Sequence, residues 1–97
     1  MILALYAALA AGVKLHGCTT HFVREEVDSG PIIGQAAVPV LAGDTPEILA
    51  ARVLAMEHRL YPACLRLVAA GRAKVVGERV ALPESQDDSA WLMQPPA

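Results

Sequence analysis

Apolar and polar positions change their spacing along the chain and divide it into distinct elements. Residues 1–11 are almost wholly apolar and are followed by Gly12, which predicts a buried helix that ends where glycine often follows a last turn. The run is well short of the roughly 20 apolar residues of a membrane-spanning helix and has no basic start typical of a secretory signal. From Cys18 to Val23, β-branched and aromatic residues alternate and predict a short strand. A second extended pattern covers 32–40.

The two predicted strands carry further positional information. Alternation places Cys18, Thr20 and Phe22 on one face of the first strand. In the second strand Gly34 predicts a bulge or a close approach of another group, and Pro39 predicts an edge or a strand end. The polar, turn-forming residues between the strands predict a loop.

A helix start follows at 44–47. Either Asp44 or Thr45 can cap the free backbone N–H groups, Pro46 suits the first turn, and Glu47 stands three residues after Asp44. The helix that follows has one apolar stripe, made by Leu49, Val53, Met56, Leu60, Cys64 and Leu67. Pro62 predicts a kink or a division into two helices, and Gly71 predicts the end.

Two short apolar stretches around Gly77 and Glu78 predict a hairpin, and the polar, proline-containing residues 83–97 predict a loosely ordered tail. The predicted fold class is therefore α/β: an N-terminal helix, two extended strands, one long helix and a small terminal hairpin, with residues 1–82 as the folded part.

Composition and charge narrow the class of protein. The chain has 97 residues, of which 55% are hydrophobic and 19% charged, so general disorder is excluded and the apolar content is high for so small a chain. The net charge is -2, and the lysines and arginines are scattered along the chain rather than clustered, which argues against a nucleic-acid partner. Cys18 and Cys64 are far apart and outside any metal-binding spacing, so we expect neither a metal nor a disulfide and a reducing, cytoplasmic location.

The candidates for chemistry are three histidines and one acidic loop. His16, His21 and His58 have no established metal-ligand spacing, and His21 alone is more typical of a hydrogen-bonded structural histidine. Glu25, Glu26 and Asp28 share the loop; they are either a solvated acidic turn or a set in which repulsion raises one pKa and creates an acid or base. Asp28 differs because the turn Ser29-Gly30-Pro31 can fix its direction.

Several blocks together resemble the C-terminal half of the phosphoribosylglycinamide formyltransferase family, over about residues 11–82. The blocks are His16-Gly17-Cys18-Thr19-Thr20-His21-Phe22-Val23, Glu26-Val27-Asp28-Ser29-Gly30-Pro31-Ile32-Ile33, Gln35-Ala36-Ala37-Val38-Pro39-Val40, Gly43-Asp44-Thr45 and Glu57-His58-Arg59-Leu60-Tyr61-Pro62. Formyltetrahydrofolate hydrolase and methionyl-tRNA formyltransferase share the aspartate-glycine segment. The last block, from Glu57 to Pro62, resembles the glycinamide ribonucleotide enzyme more than it resembles these two relatives.

The resemblance implies a Rossmann-like fold and formyl transfer from the co-substrate 10-formyltetrahydrofolate to glycinamide ribonucleotide in purine biosynthesis. It implies that Asp28 is catalytic and pairs with a histidine, and that Glu57 contacts glycinamide ribonucleotide. It gives His21 a supporting role. The folate-binding loop would comprise Arg24, Glu25, Glu26, Val27 and Asp28.

The family's glycine-rich phosphate loop and its asparagine-x-histidine-proline-serine segment have no counterpart in this sequence, and Gly34 replaces a larger residue. We therefore expect a C-terminal fragment that is inactive alone. The alternatives are a subunit that complements a separate N-terminal half, a decayed fragment, or a hydrolase or tRNA-directed relative. The apolar surplus predicts exposed apolar surface, and with it self-association or partner binding.

Overall fold

The computed structural model describes residues 2–23, 30–82 and 92–95. Its elements, in chain order, are α1 (Ile2–Ala11), β1 (Leu15–His21), β2 (Ile32–Pro39), α2 (Pro46–Ala69), β3 (Lys74–Val76), β4 (Arg79–Ala81) and β5 (Met93–Gln94). This order confirms the predicted α/β class, with its first helix, two strands, long helix and terminal hairpin.

One antiparallel sheet has the order β1-β2-β5, and β3 pairs with β4 in a separate hairpin. β1 begins and ends earlier than predicted because it pairs with the whole of β2, from Leu15 opposite Pro39 to His21 opposite Ile32. Thr20 lies opposite Gly34, which leaves Ile33 as the extra residue of a bulge. Pro39 ends β2, as predicted.

Both helices end at a glycine in the left-handed region. Gly12 has φ 70°; its N–H donates to the Leu9 carbonyl at 3.2 Å, and the N–H of Val13 donates to the Ala8 carbonyl at 3.3 Å. These two bonds form a Schellman motif, which satisfies the last carbonyls of α1. Gly71, with φ 69°, ends α2 in the same way. The prediction of both helix ends is confirmed.

The hydrogen bonds at the start of α2 show which of the two predicted residues caps the helix. The hydroxyl of Thr45 accepts the N–H of Ile48 at 3.2 Å, so Thr45 is the cap. Asp44 instead binds Arg52 through two hydrogen bonds of 2.6 and 3.0 Å. Arg52 also donates to the Pro39 carbonyl at 2.8 Å, which ties the helix to the end of β2.

α2 packs its predicted apolar stripe against the sheet and α1. Its buried residues are Leu49, Val53, Leu60, Ala63 and Cys64. Of the two outcomes predicted for Pro62, the division into two helices is wrong, because α2 is one helix of 24 residues that continues past it, and the kink stays a prediction. Pro62 is exposed, and the buried residues on either side hold both halves on one sheet, which outweighs the backbone hydrogen bond that proline cannot make.

Residues 92–95 add a short strand that the sequence analysis did not predict. Gln94 and Met93 pair with β2, and the Leu92 carbonyl accepts the N–H of Ala37 at 2.9 Å. Gly34 provides the predicted close approach: a Cβ there would lie 2.7 Å from the Cys64 sulfur and from the Gln94 carbonyl oxygen. The division at residue 82 stays a prediction, since 83–91 and 96–97 lie outside the described residues.

The described surface includes many large apolar side chains, as the composition predicted. They are Tyr6, Val13, Leu15, Val23, Ile32, Leu41, Ile48, Leu54, Tyr61, Leu65, Val75, Val76 and Leu92. Neither of the two helices in the described residues combines the length and the apolarity needed to cross a bilayer.

Candidate functional site

The two ends of the predicted loop meet at one end of the sheet. The N–H of Phe22 donates to the carbonyl of Pro31 at 2.9 Å, and Pro31 is buried. At Gly30 a Cβ would collide with the Phe22 carbonyl, so this position requires glycine. Residues 24–29 lie outside the described residues. The catalytic assignment of Asp28 and the folate-binding assignment of Arg24, Glu25, Glu26, Val27 and Asp28 therefore stay predictions.

His21 stands at the base of this loop. Its Nδ1 lies 2.8 Å from the carbonyl oxygen of Phe22. Because a carbonyl only accepts hydrogen bonds, Nδ1 carries the proton in this arrangement, and Nε2 is the acceptor when the ring is neutral. The contact holds the ring next to Gly30, while the supporting role of His21 in catalysis stays a prediction.

Glu57 lies near the middle of α2, is half-buried and lines a hollow of about 560 Å³. The hollow is also lined by Ala4, His16, Gly17, Cys18, Thr19, Thr20 and Tyr61. Within the described residues, Glu57 forms no hydrogen bond or ion pair. A half-buried carboxylate with its oxygens available can accept hydrogen bonds from a polar ligand.

The electrostatics of the hollow make Cys18 a poor nucleophile. Burial raises the pKa of the Cys18 thiol, and the negative charge of Glu57 raises it further. Burial also raises the pKa of Cys64, against a hydrogen bond with the Thr20 side chain that lowers it. Both cysteines are free thiols, and a protonated thiol does not attack a carbonyl effectively. This environment is typical of cysteines that pack as small apolar residues.

A second hollow, of about 580 Å³, lies along the sheet between β1 and β2 and reaches Leu92 and Gln94. On its floor the amide of Gln35 donates to the Thr19 hydroxyl at 3.1 Å. His16 lines both hollows, whereas His58 is exposed and lines neither. Across 2–23, 30–82 and 92–95, no three His, Cys, Asp or Glu side chains are grouped to hold a metal ion.

The structure therefore brings Glu57 to β1, while it places His21 at the loop base. Sequence reasoning did not include Thr20 or Tyr61 in the site. Two spacings could have found them: Tyr61 follows Glu57 by one helical turn, and Thr20 alternates with Cys18 on the strand face that meets α2.

Comparison with known proteins assigns this chain to a protein family. A sequence profile described as formyl transferase matches residues 2–65, which is more than half of the chain. The chain belongs to the formyl transferase family. Among formyl transferases it is similar to the phosphoribosylglycinamide formyltransferase of Escherichia coli K12, with 41% identity over 85 residues that make up 88% of this chain and 35% of that protein.

Solved formyl transferase structures agree with the fold. The phosphoribosylglycinamide formyltransferase of Anaplasma phagocytophilum aligns with a TM-score of 0.80 and 47% identity, over 87% of this chain and 42% of that one. A formyltetrahydrofolate deformylase from Pseudomonas syringae aligns with a TM-score of 0.76 and 34% identity, over 79% of this chain and 26% of that one. The chain thus spans between a quarter and a half of the length of these relatives.

Proposed function

We propose that this chain forms part of an enzyme that transfers a formyl group from 10-formyltetrahydrofolate to the amine of glycinamide ribonucleotide, a step of purine biosynthesis. The observation that supports it most is 41% identity over 85 residues to a relative named for glycinamide ribonucleotide formylation. The hollow beside Glu57 adds local support, because its lining includes the polar side chains of His16, Thr19, Thr20, Glu57 and Tyr61, which could bind the hydroxyl groups of a substrate.

In this proposal Glu57 binds glycinamide ribonucleotide. Its carboxylate accepts hydrogen bonds from substrate hydroxyl or amine groups, and its position in the middle of α2 holds it at a fixed distance from β1. A helix is a rigid support, so a substrate held by Glu57 keeps its reactive amine in one place relative to the loop between β1 and β2.

The loop carries the folate and the proton chemistry. The substrate amine attacks the formyl carbon, the carbonyl oxygen becomes an oxyanion, and the carbon–nitrogen bond to folate then breaks as a proton passes from the amine to the folate nitrogen. Asp28 pairs with a histidine and helps move that proton, and residues 24–28 contact the folate. By resemblance, the histidine and an asparagine that stabilise the oxyanion come from a part of the family fold that this sequence does not match.

The deformylase alternative, in which water accepts the formyl group, has weaker support. Identity to the deformylase is 34%, against 47% to the Anaplasma transferase. We also propose a cytoplasmic location for the enzyme, where the free thiols of Cys18 and Cys64 would stay reduced.

A segment exchange tests the function. In the Escherichia coli relative, the 85 matched residues are replaced by their counterparts from this chain. Formyl transfer to glycinamide ribonucleotide is then followed by the loss of 10-formyltetrahydrofolate. We expect the exchanged enzyme to transfer formyl, and Asp28→Asn to lower kcat by about 100-fold or more, since general acid–base groups contribute about that much. Glu57→Gln should mainly raise the KM for glycinamide ribonucleotide.

The matched control for Glu57→Gln is Glu47→Gln, an exposed acid in the first turn of the same helix that lines neither hollow. It should leave kcat and KM unchanged. The 97-residue chain by itself should not transfer formyl above the uncatalysed rate. Formyl release to water by the exchanged enzyme, without transfer, would contradict the proposal and favour the deformylase reaction.

A further inference from the structure

The two threonines in the lining of the Glu57 hollow already have hydrogen-bond partners. The hydroxyl of Thr19 accepts from the Gln35 amide at 3.1 Å, and Thr20 shares a side-chain hydrogen bond with Cys64. A ligand that used either hydroxyl would have to replace an existing bond, which reduces the free energy that the new bond contributes. Recognition of a substrate in the hollow therefore depends more on its other polar side chains.

Tyr61 lines the same hollow with its hydroxyl available. Within the described residues the Tyr61 side chain forms no hydrogen bond or ion pair, and it is 58% exposed. Its ring gives the hollow an apolar surface, and its hydroxyl can both donate and accept a hydrogen bond. A bound molecule can therefore use this hydroxyl without breaking a bond inside the protein.

Helix α2 holds Tyr61 beside Glu57. The two residues are four positions apart, so their side chains project from the same face of the helix, with Cβ atoms about 5–6 Å apart. Both line the hollow together with residues 16–20 of β1. A carboxylate that accepts hydrogen bonds thus stands next to a hydroxyl that can donate one.

The charges around the hollow limit which part of a substrate fits between these two groups. None of the described residues in the lining is a lysine or an arginine, and Glu57 repels an anion. A phosphate group is therefore disfavoured there. Two adjacent hydroxyl groups of a ribose fit, because one can donate to the Glu57 carboxylate while the oxygen of the other accepts from Tyr61.

We propose that Tyr61 is a specificity-determining residue, whose hydroxyl donates a hydrogen bond to a ribose oxygen of the substrate while Glu57 accepts one from the adjacent hydroxyl. The inference rests on the proposed function, since the ribose is that of glycinamide ribonucleotide. A site with both contacts discriminates against a sugar that lacks one hydroxyl, because a group of the protein then loses its partner.

Removal of the hydroxyl tests the contact in the segment-exchanged enzyme. Tyr61→Phe keeps the ring and should raise the KM for glycinamide ribonucleotide about 2–10-fold, which corresponds to the loss of one uncharged hydrogen bond. The kcat and the KM for 10-formyltetrahydrofolate should not change. The control is His58→Phe, which puts the same ring at an exposed position of α2 that lines neither hollow and should change none of these values. Circular dichroism shows whether both variants fold.

Substrate analogues separate a direct contact from an effect on packing. Glycinamide ribonucleotide is compared with two forms of it, one without the 2-hydroxyl and one without the 3-hydroxyl of the ribose. Each analogue should have a higher KM than the complete substrate in the parent enzyme. Tyr61→Phe should abolish this difference for one analogue only, the one that lacks the oxygen bound by Tyr61. A purely structural role of Tyr61 would raise the KM of all three molecules alike.

An unchanged KM for glycinamide ribonucleotide in Tyr61→Phe would overturn the proposal, and so would an equal rise for the substrate and both analogues. If the exchanged enzyme transfers no formyl, the proposed function fails, and the contact is then tested by the Kd values of the three molecules, measured by isothermal titration calorimetry. Loss of discrimination against one analogue in Tyr61→Phe would support the contact. Unchanged discrimination, or a parent enzyme that binds none of the three, would refute it.

Discussion

A single arginine joins three parts of the backbone at the start of α2. Arg52 holds the Asp44 carboxylate and the Pro39 carbonyl, and Asp44 also accepts the N–H of Leu41 at 2.8 Å. The hydrogen bonds from Arg52, then that from Leu41, lower the pKa of Asp44 below its usual range, although desolvation opposes them. Asp44 therefore stabilises the turn between β2 and α2 only while it is ionised.

This pair predicts how stability depends on pH. A carboxyl whose pKa is lower in the folded chain stabilises it above the unfolded pKa of about 4, and this contribution is lost as the pH falls through the folded pKa. Asp44→Asn should lower the Tm at pH 7, and the difference from the parent chain should shrink between about pH 4 and pH 2. Thermal unfolding followed by circular dichroism measures it. A difference that stays constant over this range would contradict the prediction.

At the scale of elements, side-chain packing in α2 outweighs the tendency of Pro62 to break a helix. Pro62 cannot donate to a carbonyl of the preceding turn, yet helix continues for seven residues beyond it, from Ala63 to Ala69. Leu60 is 1% exposed before the proline and Cys64 is 1% exposed after it, and both belong to one cluster with Ile33, Ala36 and Met93. The burial of residues on both sides keeps the helix in one piece.

Replacing this proline should stabilise the chain. Proline in a helix interior is about 3 kcal/mol less favourable than alanine, partly offset because proline also restricts the unfolded chain. Pro62 is exposed, so its removal leaves no cavity. We expect Pro62→Ala to increase the free energy of unfolding by about 1–3 kcal/mol, measured by urea denaturation. The control is Arg59→Ala, an exposed change within the same helix that should stay within about 0.5 kcal/mol. A loss of stability in Pro62→Ala would show that the proline itself contributes to packing.

At the scale of the whole molecule, the apolar content exceeds what the interior of the described residues accommodates. Two clusters form the core, one around Leu60 and Cys64 and one around Leu49 and Val53. Large apolar side chains nevertheless remain exposed on both helices, the sheet and the hairpin. Exposed apolar surface of this kind is typical of regions that contact other proteins.

The sequence by itself determined the elements and the family. Period and capping residues located both helices, the two long strands and the hairpin, because these depend on neighbours within a few residues. The blocks around Thr20, Gln35 and Glu57 indicated the formyl transferase family, which the comparison then confirmed. The capping preferences of neighbouring residues did not decide between Asp44 and Thr45 as the helix cap.

The tertiary structure decided the features that depend on contacts between distant residues. Thr45 caps α2 because Arg52, a residue further along the helix, binds Asp44. Glu57 and β1 border one hollow because α2 packs across the sheet, and β2 is the central strand of the described sheet because β1 and β5 pair with its two sides. No local sequence pattern specifies these contacts, because the free energy that stabilises them comes from burial between elements far apart in sequence.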